Sequence, residues 1–136
     1  ASEGVYSVVS LMDPTTPDYA ATKDMKTYRD IGAKFSSPGL NLDDPMTMYG
    51  FGQAQTMVAV LEKAKAPTRE AIMTSARHLC DVPIMGVVPG VKVCVDGNKD
   101  PFYVESMQVV RYSKGNWEPV GGIITKYEGK TPQKTN

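Results

Sequence analysis

The chain has 136 residues, 41% of them apolar, and its fifteen basic side chains are balanced by fifteen acidic ones. That length carries one domain with a core rather than two, and the balanced charge, with no run of five like charges, leaves neither a basic face for nucleic acid nor a polybasic membrane anchor. The apolar runs fall far short of the ~18 residues of a membrane span, and no charged-then-apolar leader opens the chain, so an export signal is expected to have been removed or to lie upstream.

Residues 5–12, Val-Tyr-Ser-Val-Val-Ser-Leu-Met, are β-branched and nearly unbroken in apolarity, which predicts a strand covered on both faces. Asp13-Pro14 stops it. Thr16-Pro17-Asp18 then supplies an N-cap, a proline at the first helical position and an acid in the first turn. A helix is predicted over 16–34, burying Tyr19, Met25, Tyr28, Ile31 and Phe35 and turning Lys23, Lys26 and Arg29 outward. Ser36-Ser37-Pro38-Gly39 ends it.

Asp44-Pro45 repeats the cap-then-proline signal, and the helix it opens is predicted to reach residue 65. Phe51, Ala54, Met57 or Val58, and Leu61 are spaced to lie on its buried side. Its first turns hold Tyr49-Gly50-Phe51-Gly52. Each glycine there costs about 1 kcal/mol of helix propensity relative to alanine, so close approach by a ligand or another backbone is expected to favour it. An aromatic ring beside such a glycine can wall a small molecule or pack into the core, and the residues alone leave both open. A third helix is predicted over 68–79, capped by Thr68, with Ile72, Met73, Ala76 and Leu79 inward. His78 at its end reads as a partner for the helix dipole rather than a base.

Beyond Cys80 the period changes from 3.6 to 2. Strands are predicted over 91–95, 103–112 and 117–127, the last two joined by a hairpin turn at Ser113-Lys114-Gly115-Asn116, with Pro119 and Gly121-Gly122 making the final strand irregular or an edge. Residues 128–136 form a polar tail expected to fray. Cys80 and Cys94 are either a disulfide, worth roughly 2–3 kcal/mol in an oxidising compartment, or two separate buried thiols. With one histidine they make no four-ligand zinc site without carboxylate help, and neither metal nor cofactor is expected. The fold class is α/β, but three consecutive helices are odd for a self-contained unit, because parallel folds interleave strands between helices.

In order along the chain stand Ala1-Ser2-Glu3-Gly4-Val5 before the first strand, Gly50-Phe51 opening the helix that ends Val60-Leu61-Glu62-Lys63-Ala64, and Thr68-Arg69-Glu70-Ala71-Ile72. Val88-Pro89-Gly90-Val91-Lys92-Val93, Asp100-Pro101-Phe102-Tyr103-Val104-Glu105-Ser106-Met107-Gln108 and Gly115-Asn116-Trp117 follow. With these segments the chain resembles the C-terminal portion of the branched-chain amino acid type of solute-binding protein of ABC importers, which has the type I periplasmic binding fold. The resemblance implies a partial lobe over 1–127, with three consecutive helices, a small mixed sheet and a C-terminal hairpin, and with the strands at 5–12 and 107–112 as candidate hinge crossings. It further implies that roughly the first two-thirds of the protein are absent from this chain.

Of the family's ligand positions, the aromatic residue after glycine at the helix start carries over, and here it is Phe51. Phenylalanine offers a ring face to an apolar or cationic ligand but no hydroxyl to a carboxylate. Tyr49 brings a hydroxyl nearby, although two positions along a helix it points elsewhere. Tyr49, Gly50 and Phe51 are therefore the ligand-binding candidates.

The function implied is an extracytoplasmic binding component, periplasmic or lipid-anchored, that captures an amino acid or similar solute by hinge closure and delivers it to a membrane permease. A ligand-sensing or dimerising receptor module of the same fold is the alternative. The carboxylates Asp43, Asp44, Asp81, Asp96, Asp100 and Glu105 form no recognisable acid–base pair, and there is no serine elbow, phosphate loop or cysteine–histidine motif, so no catalysis is expected. As a severed piece, the chain is expected to self-associate by strand exchange and to show no measurable affinity for free amino acids.

Overall fold

The computed structural model describes residues 2–97 and 99–130. Strand β1 (Tyr6–Val9) is followed by a 3₁₀ turn (Pro17–Tyr19) and by helices α1 (Lys23–Phe35), α2 (Pro45–Lys63) and α3 (Arg69–Ala76). Strands β2 (Met107–Ser113) and β3 (Asn116–Ile124) complete it. The fold is α/β, three helices in succession and then a hairpin. Of the polar tail expected over 128–136, residues 131–136 lie outside the described residues.

The sheet runs β1-β2-β3, and both ladders are antiparallel where a mixed sheet is expected from the sequence. The predicted first strand shortens, because after Val9 the chain changes partners. Ser10 and Met12 leave β2 and bond the 84–88 segment, Met12 N–H donating to Gly86 O at 2.7 Å and Val88 N–H to Ser10 O at 2.9 Å. Nor is β1 covered on both faces: it is an edge strand, and Val5, Tyr6 and Val8 are exposed.

The hairpin forms where its turn residues place it. Lys114 and Gly115 both take positive φ, 50° and 89°, the geometry of a type I′ turn, and Ser113 pairs with Asn116. Pro119 sits opposite Val110 on the edge strand, where a missing N–H is tolerated. The β2–β3 register shifts between Met107 and Val109, and Gly121 takes φ 71° there. Buried Gln108 spans the irregularity by donating its side-chain amide to Val120 O at 3.1 Å and to Gly121 O at 3.4 Å.

The first predicted helix splits in two. Thr16 makes no side-chain cap bond, and residues 17–19 form only a 3₁₀ turn. The cap is Thr22, whose hydroxyl accepts from Met25 N–H at 3.2 Å. Met25 and Tyr28 are buried as expected, but Phe35, the last residue of α1, is 71% exposed: in that final turn Leu42 packs on Gly32, and the Phe35 ring carries only the Lys34 ammonium, 5.0 Å from its centroid. Asp44 caps α2 by accepting from Met46 N–H at 2.8 Å, and Thr68 caps α3. Helix α3 is shorter than predicted. It buries no residue completely, Met73 is exposed, and Leu79 is buried only after the helix has ended.

Helix α2 corrects the expected buried side. Met48, Gly52 and Val60 face inward, whereas Ala54, Met57, Val58 and Leu61 are exposed, the last three at 50–54%. Residues 91–95 form no strand; Cys94 makes a single antiparallel bridge to Cys80, and the two sulfurs are joined in a disulfide. The core gathers Met12, Tyr19, Met25, Tyr28, Met48, Met85 and Val88, with Phe51 packed against it.

Candidate functional site

The crossover from β1 to the 84–88 segment places Ser10 and Leu11 between two cavities and in the wall of each. Behind the first turns of α2 lies a cavity of about 240 Å³ lined by Tyr49, Gly52, Gln53, Ile84, Val87 and Tyr103. On the other side, between β1 and the start of α2, lies one of about 350 Å³, whose wall includes Val9, Met12, Tyr19, Met46 and Trp117.

The smaller cavity owes its shape to Gly52. A Cβ there would stand 2.6 Å from the Met85 carbonyl oxygen, so only glycine lets the 84–88 segment lie against α2. Gln55 fixes the same contact by accepting from Met85 N–H. Deeper in, the Tyr103 hydroxyl lies 3.2 Å from Thr56 Oγ1, which donates to Gly52 O at 2.9 Å. Burial raises the Tyr103 hydroxyl above its ordinary pKa of 10.0, with the Thr56 hydrogen bond opposing, so it remains a neutral phenol at physiological pH.

The three ligand-binding candidates are not brought together. Tyr49 lines the smaller cavity. Phe51 turns instead to Tyr28, ring centroids 5.1 Å apart and planes at 87°, and belongs to the wall of neither cavity. Gly50 faces open space, and nothing in the structure explains a glycine there. Steps of about 100° per helical residue put Tyr49, Gly50 and Phe51 on different sides of the helix. The wall residues Tyr19, Gln53 and Tyr103 are absent from the candidates read from the sequence, because their grouping depends on where 84–88 crosses β1.

Four of the six carboxylates singled out in the sequence serve local structure. Asp43 pairs with Arg29 at 2.6 Å, Asp44 caps α2, Asp100 accepts from Phe102 N–H at 3.3 Å, and Glu105 accepts from Gly129 N–H at 2.7 Å. His78 Nδ1 lies 2.9 Å from Thr74 O, in contact with the last turn of α3. Among the described residues, no group of three or more His, Cys, Asp or Glu is placed to hold a metal ion, and no helix is long and apolar enough to cross a membrane.

No protein-family model matches the sequence, and no curated protein matches it. Among solved structures the chain is similar to that of a branched chain amino acid ABC transporter from Thermus thermophilus with bound valine, at a TM-score of 0.61 and 14% identity. The match covers 90% of this chain and 34% of the other, so the chain spans about a third of that protein's length. At that identity the likeness shows the fold.

Proposed function

We propose that this chain is part of one lobe of an extracytoplasmic solute-binding protein, which captures an amino acid or a similar small solute and passes it to the membrane permease of an ABC importer. The observation that carries the reading is the fold shared over 90% of the chain with a transporter protein that holds valine. The cavity at the start of α2 lends support, since it has Tyr49 in its wall. In this reading Tyr49 faces the solute, and Phe51 holds the helix start in place by packing on Tyr28. Solute contacts to two lobes shift an open–closed equilibrium, and the chain contributes binding rather than catalysis. The Cys80–Cys94 disulfide suits an oxidising compartment outside the cytoplasm.

The test is calorimetry with leucine, isoleucine and valine on the longer two-lobed protein that this reading requires. At least one should bind, and Tyr49→Ala should weaken it about tenfold, while the 136 residues alone bind none of them. Micromolar binding by the isolated chain, or unchanged affinity in Tyr49→Ala, would overturn the proposal.

The uncharged outer stripe of α2, with Met57, Val58 and Leu61 exposed, favours a second reading: a ligand-sensing module of the same fold that associates through this face. Light scattering that finds a dimer abolished by Leu61→Glu would support it.

A further inference from the structure

Helix α2 carries no charged residue from Pro45 to Leu61, and one whole side of it faces water. At about 100° per residue, Met46, Gly50, Gln53, Ala54, Met57 and Leu61 fall within an arc of about 100°, the width of a helix face that is ordinarily buried. All six are exposed, Met46 at 65%. The stripe they form is about 22 Å long. Gly50 lies within it. A Cβ there would meet nothing within 4 Å, so one chain by itself has no need of a glycine that costs about 1 kcal/mol of helix propensity. On an outer helix face, a glycine lets a second helix come close.

The stripe is complementary to itself when reversed. With a two-fold axis passing between Gln53 and Ala54, Met46 lies opposite Leu61 of a second copy. Gly50 lies opposite Met57, so the gap on one helix receives the long, flexible side chain of the other. Gln53 flanks the axis, where its amide meets its own counterpart, the donors of one on the acceptor of the other. The ends match as well. Asp44 is exposed at the start of α2, and at its far end exposed Lys63 and Lys65 outnumber Glu62. Antiparallel copies therefore bring acid to base and set their helix dipoles in opposition, whereas a parallel pair would set Asp44 against Asp44.

We propose that two copies of this chain pair through the outer face of α2, antiparallel about a two-fold axis at Gln53 and Ala54. The inference rests on the second reading above, association through this face, and adds the partner and the geometry. A single helix pair covers far less than the ~1,200 Å² of a stable interface, so the dissociation constant is expected at about 10–100 μM. At about 1 μM and below the chain is monomeric and Leu61 stays exposed.

The test is sedimentation equilibrium on the 136-residue chain, over concentrations from about 1 to about 300 μM. Monomer should give way to dimer across that range. Leu61→Glu and Gly50→Leu should each weaken the dimer at least tenfold with circular dichroism unchanged, since both positions are exposed in the single chain. Single cysteines in a glutathione redox buffer read the orientation. Ala54→Cys, beside the axis, should yield a disulfide-linked dimer, and Leu61→Cys, about 22 Å from its counterpart, should not. A monomer throughout, or a dimer that Leu61→Glu leaves intact as strand exchange would, overturns this inference and the second reading together. A dimer lost in Leu61→Glu but cross-linked by Leu61→Cys, or undiminished in Gly50→Leu, overturns the antiparallel pairing alone.

Discussion

Helix α1 presents one apolar face and helix α2 presents two. In α1, Met25 and Tyr28 enter the core while Lys26, Asp30 and Lys34 face water. In α2, Met48, Gly52 and Val60 face inward and Met57, Val58 and Leu61 face outward with no charged residue among them. Charge orients α1, because a lysine or aspartate cannot be buried unpaired. Nothing on α2 between Pro45 and Leu61 is charged, so contact decides its orientation, and that contact is Gly52 beneath the Met85 carbonyl.

The largest test of this difference sets Tyr28 against Leu61. Tyr28 is fully buried, meets Phe51 edge-on and donates to Leu42 O at 3.0 Å, so Tyr28→Ala should cost about 3–5 kcal/mol. Leu61→Ala, on the outer stripe, should cost under about 0.5 kcal/mol in the same urea titration. A loss above 2 kcal/mol at Leu61 would mean that something covers that face in solution.

The two glycines of α2 sharpen the comparison, since they should respond with opposite signs. Gly52→Ala forces a methyl against backbone and should destabilise by about 1–3 kcal/mol. Gly50→Ala meets open space in a helix and should stabilise by up to about 1 kcal/mol. A destabilising Gly50→Ala would break the assignment of α2's inward side.

The smallest effect concerns alkaline pH. Desolvation raises the hydroxyl pKa of Tyr19, Tyr28 and Tyr103 above 10.0. At Tyr19 Asp18 adds to it, at Tyr28 Arg29 opposes it and Asp43 and Asp44 add to it, and at Tyr103 the Thr56 hydrogen bond opposes it. A raised folded pKa means that the unfolded chain loses its protons first as pH increases. Stability should therefore be level below pH 10 and fall above it. Tyr19→Phe should reduce that fall and, by removing an unpaired hydroxyl, leave stability at pH 7 unchanged or up to about 1 kcal/mol higher. A steeper alkaline loss in Tyr19→Phe would contradict the burial of that hydroxyl.

Much of the local structure is legible in the chain. Asp44-Pro45 marks the start of α2, Thr68 that of α3, and Lys114-Gly115 the hairpin turn, each through groups within a few residues of one another. Thr16 shows the limit of such signals. It has the cap sequence, yet Thr22 forms the bond, because only a 3₁₀ turn follows Thr16, putting Tyr19 into the core, and α1 starts afresh at Lys23. Of the residues in the two cavity walls, only Tyr49 is among the ligand-binding candidates read from the sequence. Phe51 stands beside it in sequence and packs elsewhere, and Tyr19 and Tyr103 join the cavities from distant positions.

By itself the amino-acid order determined the succession of helices, the caps of α2 and α3 and the closing hairpin, since propensity, capping and turn conformation act over one or two turns of chain. Only the tertiary structure decided which side of α2 is buried, where residues 10–12 leave β2, and which tyrosines border a cavity. Those outcomes depend on contacts such as Met12 with Gly86 and Gly52 with Met85, between segments more than thirty residues apart, and no local pattern encodes them.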